Sequence, residues 1–571
     1  MYTAAYQKTR SKPGMMTPGI SPDTLDGMSS ERMRSMISQL QSEKFQFTPG
    51  RRMEIDKANG GKRPLTIGKP TDKLVQEVIR MVTEAIYEPN FSTNSHGFRP
   101  NRSCHTATRQ MFVKCKGTTW WMEGDIKACF DSMPHDKLMS LLANKIKDQR
   151  FLQTMQKALN AGYMYSNQLK YNIVGTPQGS IMSPMLANIY LDQTDKYVES
   201  IKSNFDQKTK QWSRTTEWRR EQARTQRAKK AGADSSTTRK LSKTTRSTPS
   251  VKRTSDIRNI EYIRYADDWV VAVNGSYEET INMLNQITSF CNDMGLTVSP
   301  TKTKVTNMHK DHVTFLGTNI KYNTHTTYST RKGGHKQRNS GFLVLSAPMD
   351  RMYKKLIATG FMKNYRGVSR MTWLPLSMRQ MMHMGNSMIS GYLNYYSFAH
   401  NRGNLASVIH YMIRDTMART LAHKLSTKRR AKVYKKYGMD TKLYDQENRD
   451  MTGKPKTMCQ LKRPLYTKDV WDFKVNEVNH NVVNLYANNV SLANTDDLSC
   501  KVCASKHKVE MHHIRQMKDI NKKISKYTLE YLMMKANRKQ MALCRECHMK
   551  HHSGKTVIPK DLMDNVNNKD K

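Results

Sequence analysis

The chain has 571 residues, room for several domains and a sizeable core, and its 95 Lys and Arg against 48 Asp and Glu give a formal charge of +47. Such a surplus favours a polyanionic partner, through attraction to phosphates and release of their counterions. No apolar stretch reaches the about 18 residues needed to span a bilayer, and the start MYTAAYQKTRSKPGMM has neither the apolar core of a secretory signal nor a clear presequence.

Residues 1–50 are polar and rich in Gly, Pro and Ser, with one helical stretch near Glu31–Leu40. Gly60-Gly61-Lys62-Arg63-Pro64 then places two cations on a flexible loop, suited to a triphosphate clamp or simply to a basic hairpin. Leu74, Val75, Val78, Ile79, Val82 and Ile86 recur at helical spacing and predict a helix over 71–88. Trp120-Trp121-Met122 reads as a strand running into Asp125, and Phe130 five residues on has the reach to stack on a sugar and exclude a ribose 2′-hydroxyl. In Gly175-Thr176-Pro177-Gln178-Gly179-Ser180 the glycines permit close backbone approach, and the Gln178 amide can bond a base edge. Ser183-Pro184-Met185-Leu186 opens a second helix over 183–200, with proline in its first turn.

Residues 201–260 change character, holding 17 Lys and Arg against five Asp and Glu with few apolar residues. Such a stretch cannot bury a core; it reads as a partly helical basic insertion, either a solvated linker or a nucleic-acid-contacting arm. Next come the runs Tyr262-Ile263 and Trp269-Val270-Val271-Ala272-Val273, with Tyr265-Ala266-Asp267-Asp268 at the hairpin turn between them. Two adjacent buried carboxylates stay ionised only beside strong positive charge. A pair of divalent metal ions supplies that charge, and Asp125 from another strand completes the ligand set. Carboxylate-bridged metal pairs serve in-line displacement at phosphorus, which points to a nucleotide polymerase. Lys302, in Ser299-Pro300-Thr301-Lys302, is a further candidate for phosphate contact.

Residues 370–440 return to helical patterning rich in Met, Leu and Tyr, and a polar stretch follows to about 495. Cys500-x-x-Cys503 and Cys544-x-x-Cys547 have the spacing of two knuckles closing one tetrahedral zinc site, which also argues for a reducing compartment. His512-His513 on a strand, with His548 and His552 one helical turn apart, can converge on a second metal.

The ordered series GKRPLTIG, SHGFRPNRS, GDIKACFDSMPH, GTPQGSIMSPMLANIYLD, RYADD, GLTVSPTKTKV and FLG over residues 60–317 resembles the successive blocks of a group II intron reverse transcriptase, and SKPGMMTPG at 11–19 resembles that family's extra N-terminal block. The resemblance implies an α+β multidomain chain: a right-hand polymerase, a helical thumb and a zinc-stapled ββα HNH module. Its divisions would be fingers and palm over 1–345 with the insertion at 201–260, thumb or X (maturase) domain over 346–440, a DNA-binding linker region over 441–495, the HNH endonuclease over 496–560 and a polar tail over 561–571. Asp125, Asp267 and Asp268 would hold two Mg²⁺ ions, Phe130, Gln178 and Gly179 would line the nucleotide pocket, and Lys62, Arg63 and Lys302 would meet phosphate. MHMGNSMISGYLNYY at 382–396 resembles the X domain, where Tyr392, Tyr395 and Tyr396 either stack on bases or pack between helices, and Lys428-Arg429-Arg430 and Lys435-Lys436 meet phosphates.

On the HNH resemblance His513 is the general base, His512, His548 and His552 (or His551 in place of His552) bind a divalent ion, taken as Mg²⁺, and Asn537 is the nearest candidate to orient the base. Cys500, Cys503, Cys544 and Cys547 would hold a structural Zn²⁺. The function implied is RNA-directed DNA synthesis, intron splicing assistance and DNA nicking, with intron RNA, a DNA target site and dNTPs as partners and no membrane. The rival readings are an RNA-binding splicing cofactor with residual chemistry and a reverse transcriptase of another retroelement. The 40 methionines suit flexible core filling or an organellar code that reads an extra codon as Met. That composition points to a mitochondrion, with a bacterial cytoplasm as the alternative, and the abrupt start allows a product processed from a longer reading frame.

Overall fold

The structure is a computed structural model. It describes residues 1–461, 498–514 and 538–554, apart from 11, 13–16, 26–27, 57–59, 167, 172–173, 208–211, 254–257, 324–326, 331–335, 340–341, 428, 440–442, 450–454 and 460. At its centre is a four-stranded antiparallel sheet in the order Lys304–Asn307, Trp120–Asp125, Asp268–Asn274, Asn259–Tyr265. Successive side chains of a strand point to opposite faces, and here both faces are covered. Met122, Val271, Val273 and Tyr262 enter one core with the helices Pro70–Tyr87 and Ser183–Phe205, while Trp121, Val270, Ala272 and Ile263 enter another with Met111, Phe315 and Leu345. That is why residues 269–273 are apolar without alternation.

The helix expected over 71–88 is Pro70–Tyr87, and the one expected over 183–200 runs on to Phe205. The helical stretch near Glu31–Leu40 is Ser30–Gln41, capped by the Ser29 side chain. Gly50–Asp56 and Lys62–Ile67 form an antiparallel hairpin, extended on the Gly50–Asp56 side by Tyr163–Tyr165 and Gln168–Lys170.

The basic insertion is more ordered than its composition suggests. Trp212–Arg214 pairs with Val251–Arg253, and between them stand the helices Thr216–Lys230 and Ser235–Ser247.

The helices Met349–Ala358, Met378–Tyr395, Arg402–Lys424 and Arg430–Tyr437 share a separate core built on Met381, Ile389, Leu405, Ile409, Ile413 and Leu421. Leu461, in the segment expected to be linker, is also buried in it. Of the segment expected over 441–495, the strands Leu443–Arg449 and Pro455–Cys459 are paired, and nearly all the rest lies outside the described residues, as does the tail over 561–571. Tyr395 Oη donates to the Leu316 carbonyl at 2.8 Å and Tyr396 Oη to that of Gly317 at 3.0 Å, so these two tyrosines fasten the helical unit to the FLG turn. Lys355 lies over the Tyr392 ring.

Toward the C-terminus Val509–His513 and Gln540–Cys544 pair antiparallel and lead into the helix Arg545–His552. Among the described residues no helix is long and apolar enough to cross a membrane.

Candidate functional site

Strand register brings the aspartates together. Tyr265 faces Asp268, leaving Ala266-Asp267 as a two-residue loop, and Asp268 faces Asp125 on the central strand. Ala266 takes φ +58°, a left-handed conformation that a side chain resists, and the surroundings hold it there. Gly97 of SHGFRP packs against this turn so closely that a Cβ on it would lie 2.3 Å from the Ala266 nitrogen. Burial pushes the Asp267 carboxyl above its usual range, with the charge of Asp125 adding to the effect. Burial takes Asp268 up to about 7, helped by the Asp267 charge and a hydrogen bond with Asp125 and opposed by Lys302. Lys302 Nζ donates to Asp125 Oδ2 at 2.8 Å. It is set there because the Ser299 N–H donates to the Asp125 carbonyl and the Lys127 N–H to that of Thr297, so the GLTVSPTK segment runs beside the aspartate.

The remaining residues expected at the polymerase site have the following neighbours. Phe130 is half-buried and meets Phe98 edge to face at 6.3 Å. Gln178 Nε2 donates to Asp131 Oδ2 at 2.9 Å, and the Gln178 carbonyl accepts from the Thr66 N–H at 2.7 Å. Gly179 sits at φ +110°, where a Cβ would come within 2.5 Å of the Thr66 carbonyl oxygen, so its close approach is to the Lys62–Ile67 strand. Arg63 is exposed, and its charge lowers the Asp267 carboxyl. Lys62 pairs with Glu54 across the hairpin at 2.9 Å.

Two further residues belong to this region that the sequence pattern does not single out. Phe98 is more than half exposed beside Phe130, at φ +57°. Arg264 is fully buried and bonds Asp195, Asn188, Ser95 and the Ala266 carbonyl. The only local signal is the motif context: Phe98 in SHGFRP and Arg264 before YADD.

Among the described residues, two groups have ligand atoms all within 4.8 Å of one another: Cys500, Cys503, Cys544, Cys547; and His512, His548, His552. The thiol set suits zinc, with Cys503 Sγ and Cys544 Sγ 3.6 Å apart. Burial raises the Cys500 thiol, but the N–H groups of Cys544, Cys503 and Val502 outweigh it and bring it down to about 7, toward the thiolate a metal needs.

In the histidine group His548 Nε2 and His552 Nε2 are 3.0 Å apart, and Glu510 Oε2 lies 3.1 Å from His548 Nδ1, a contact that would fix the ring if it bound a metal. Burial, then the charges of His548, His551 and His552, take His512 down to about 4, keeping its lone pair free. The close group takes in His552 and leaves out His551, whose ring centre is 5.0 Å from that of His512. His513 faces Gln540 across the hairpin, with Gln540 Nε2 3.3 Å from His513 Nε2. Asn537 lies outside the described residues.

Comparison with known proteins gives three family matches along the chain. A family profile described as reverse transcriptase (RNA-dependent DNA polymerase) matches residues 55–217 and 231–320. Type II intron maturase matches 340–479, and AI2M/AI1M-like HNH endonuclease matches 500–548. An uncharacterized 91 kDa protein in cob intron of Schizosaccharomyces pombe is 56% identical over 562 residues, covering 98% of this chain and 69% of that protein. A putative COX1/OXI3 intron 1 protein of Saccharomyces cerevisiae is 32% identical, covering 97% of this chain and 68% of that one. Group II intron-encoded protein LtrA of Lactococcus lactis subsp. cremoris is 32% identical over 578 residues, covering 96% of this chain and 93% of LtrA. The chain belongs to the group II intron-encoded proteins. This intron-encoded protein carries reverse transcriptase, maturase and HNH endonuclease domains. The aspartates, Phe130, Gln178, Arg264 and Lys302 fall inside the first match; the four cysteines, His512, His513 and His548 fall inside the last.

Proposed function

We propose that the protein copies intron RNA into DNA from a primer that its own HNH module cuts in a DNA target, and that it also helps the intron fold for splicing. The observation that carries this reading is the meeting of Asp125, Asp267 and Asp268 at one end of the central sheet, in a chain that also holds the four-cysteine and three-histidine groups. The central sheet is the palm, the Gly50–Ile67 hairpin belongs to the fingers, and the helices from Met349 to Tyr437 form the thumb. Mg²⁺ bound by Asp125, Asp267 and Asp268 would supply activation of the primer 3′-hydroxyl and neutralisation of the triphosphate.

The protein's own groups do the positioning. Arg63 and Lys62 meet the triphosphate, and Lys302 moves between Asp125 and a phosphate. Phe130, braced by Phe98, crowds a 2′-hydroxyl, while Gln178 and Gly179 shape the pocket floor. In the nuclease His512, His548 and His552 would hold a divalent ion that supplies stabilisation of the leaving oxygen. His513 takes the proton from water, and the Gln540 amide, facing it across the hairpin, orients its ring. Zn²⁺ on the four cysteines would join the hairpin to the final helix. Relatives encoded in cob and COX1 introns and the 40 methionines support synthesis inside a mitochondrion.

The test uses a complex of the protein with its intron RNA on a DNA duplex target, with dNTPs and Mg²⁺. Wild type should nick and then extend from the nick. His513→Ala should do neither on intact DNA, yet extend normally on a duplex nicked in advance; Gln540→Ala should slow nicking by about ten- to a hundredfold. Nicking at the wild-type rate by His513→Ala removes that residue as base. Failure of His513→Ala on the pre-nicked duplex would show that the two activities are not separate modules.

A second expected outcome concerns zinc. Cys544→Ser should release one equivalent of zinc and lose nicking, because Cys544 both donates its thiol and caps the final helix by accepting the Cys547 N–H. Primer extension on a pre-formed primer should remain. A variant that keeps its zinc would exclude Cys544 as a ligand.

A further inference from the structure

The basic insertion forms an antiparallel helical hairpin, Thr216–Lys230 and Ser235–Ser247, standing on the short strand pair Trp212–Arg214 and Val251–Arg253. Its seam is almost without apolar residues. Thr225 Oγ1 and Thr245 Oγ1 are 2.9 Å apart, and both donate to the Glu221 carbonyl. From Thr216 to Ser247 there are ten Lys and Arg against three acids, and every one of those cations is exposed. Of the acids, Asp234 is committed to capping the second helix and Glu221 lies at the seam. None of the ten cations has an ion pair among the described residues.

The placement of the cations says what they face. Arg220, Arg224 and Arg227 each immediately precede a seam-side residue (Glu221, Thr225, Ala228), whereas Arg239, Lys243 and Arg246 each immediately follow one (Thr238, Ser242, Thr245). One residue turns a helix by about 100°. Opposite offsets on two antiparallel helices put the two stripes on opposite faces of the hairpin. Like charges at i,i+4 destabilise a helix by roughly 0.2–0.5 kcal/mol each, and a threonine seam offers little burial to offset them. The arm thus carries charge that opposes its own folding and that a polyanion on both sides would relieve. The reverse transcriptase profile skips 218–230, nearly the whole first helix, while its second matched segment takes in the second helix.

We infer that the hairpin is a two-faced wedge that enters folded RNA, each basic stripe meeting the backbone of a different RNA segment. The inference rests on the RNA partner proposed above. A single straight duplex can lie along only one stripe; a folded RNA can flank both.

The experiment compares wild type with Arg220→Gln/Arg224→Gln/Arg227→Gln and with Arg239→Gln/Lys243→Gln/Arg246→Gln. The probes are a folded transcript of the intron that encodes this chain and a plain 30-base-pair RNA duplex, each titrated over a range of salt. Each triple variant should weaken transcript binding at least about tenfold and reduce the salt slope by about two units, at roughly 0.7–0.9 for each phosphate no longer neutralised. Neither should change extension of a short primed template or the melting temperature by more than a degree or two. Unchanged slopes in both variants make the arm a solvated appendage and overturn the proposal. A loss confined to one stripe, or equal on plain duplex, overturns the two-faced geometry. Loss of transcript affinity in a protein whose wild type extends no primer would leave the wedge standing while the polymerase reading fell.

Discussion

Asp268→Asn should lose primer extension by about a thousandfold or more and yet melt no lower than wild type. The loss corresponds to roughly 4 kcal/mol of transition-state stabilisation, a reasonable share for one of the three carboxylates proposed to hold the metal ions. The stability side follows from burial. Asp268 is taken up to about 7 by desolvation, by the charge of Asp267 and by its hydrogen bond with Asp125. A carboxyl whose folded pKa lies above its unfolded value binds protons more tightly in the native state. Its favourable contribution is complete below about 4 and is lost as pH rises through about 7. In metal-free buffer the wild type should therefore lose melting temperature between pH 5 and pH 8, and the Asn variant, with no charge to bury, should lose less. Extension within tenfold of wild type would remove Asp268 from the chemistry. Equal pH dependence in the two proteins would mean that the carboxylate is not held in the environment described.

How much of this is legible in the sequence depends on the range of the interaction. The YADD hairpin can be read locally, because two apolar runs flank a two-residue turn and continuous apolarity signals burial on both faces. That Asp125 joins it follows from residue type and motif order; only strand register puts Asp125 opposite Asp268. Lys302 can be picked as a cation near phosphate, but its partner, Asp125, is 177 residues away in sequence, and no local rule gives that pairing. By residue type the group that orients the nuclease base should be an Asn, and Asn537, the nearest, lies outside the described residues. That Gln540 faces His513 comes from strand register, which no local rule gives. The insertion's composition cannot bury a core of its own, and the seam between its helices is made by threonine hydroxyl contacts, which local periodicity does not reveal. The helix Tyr2–Thr9 gives no clear signal because it is short and weakly amphipathic, although Ala5 and Tyr6 are buried in the main core.

Arg264→Met should be among the most destabilising single changes in the polymerase half, by about 3–5 kcal/mol, seen as a fall in melting temperature of roughly 6–20 °C. All five guanidinium N–H groups are used. Nε and Nη2 grip the two oxygens of Asp195 at 2.7 Å each, Nη2 also donates to Ser95 Oγ at 2.8 Å, and Nη1 reaches the Ala266 carbonyl at 2.9 Å and Asn188 Oδ1 at 3.3 Å. Asn188 Nδ2 in turn donates to the Gly97 carbonyl, so one side chain ties the YADD turn, the Ser183–Phe205 helix and the SHGFRP segment into a single unit. Removing it leaves the fully buried Asp195 carboxylate to the Tyr262 hydroxyl, a neutral donor, and an uncompensated buried charge is what makes such losses large. Arg264→Met with Asp195→Asn should therefore recover part of the stability, with a coupling of at least about 1 kcal/mol in a double-mutant cycle. Arg264→Lys keeps the charge but not the planar fork. It should fold at about 20 °C, bind RNA as wild type does, and lose at least about tenfold in the rate of extension, because the left-handed Ala266 turn that presents Asp267 and Asp268 is no longer held from beneath. That split between binding and rate marks a positioning residue. A lysine variant with full activity would show that the turn holds its shape unaided, and a methionine variant that melts with wild type would dissolve the network as a source of stability.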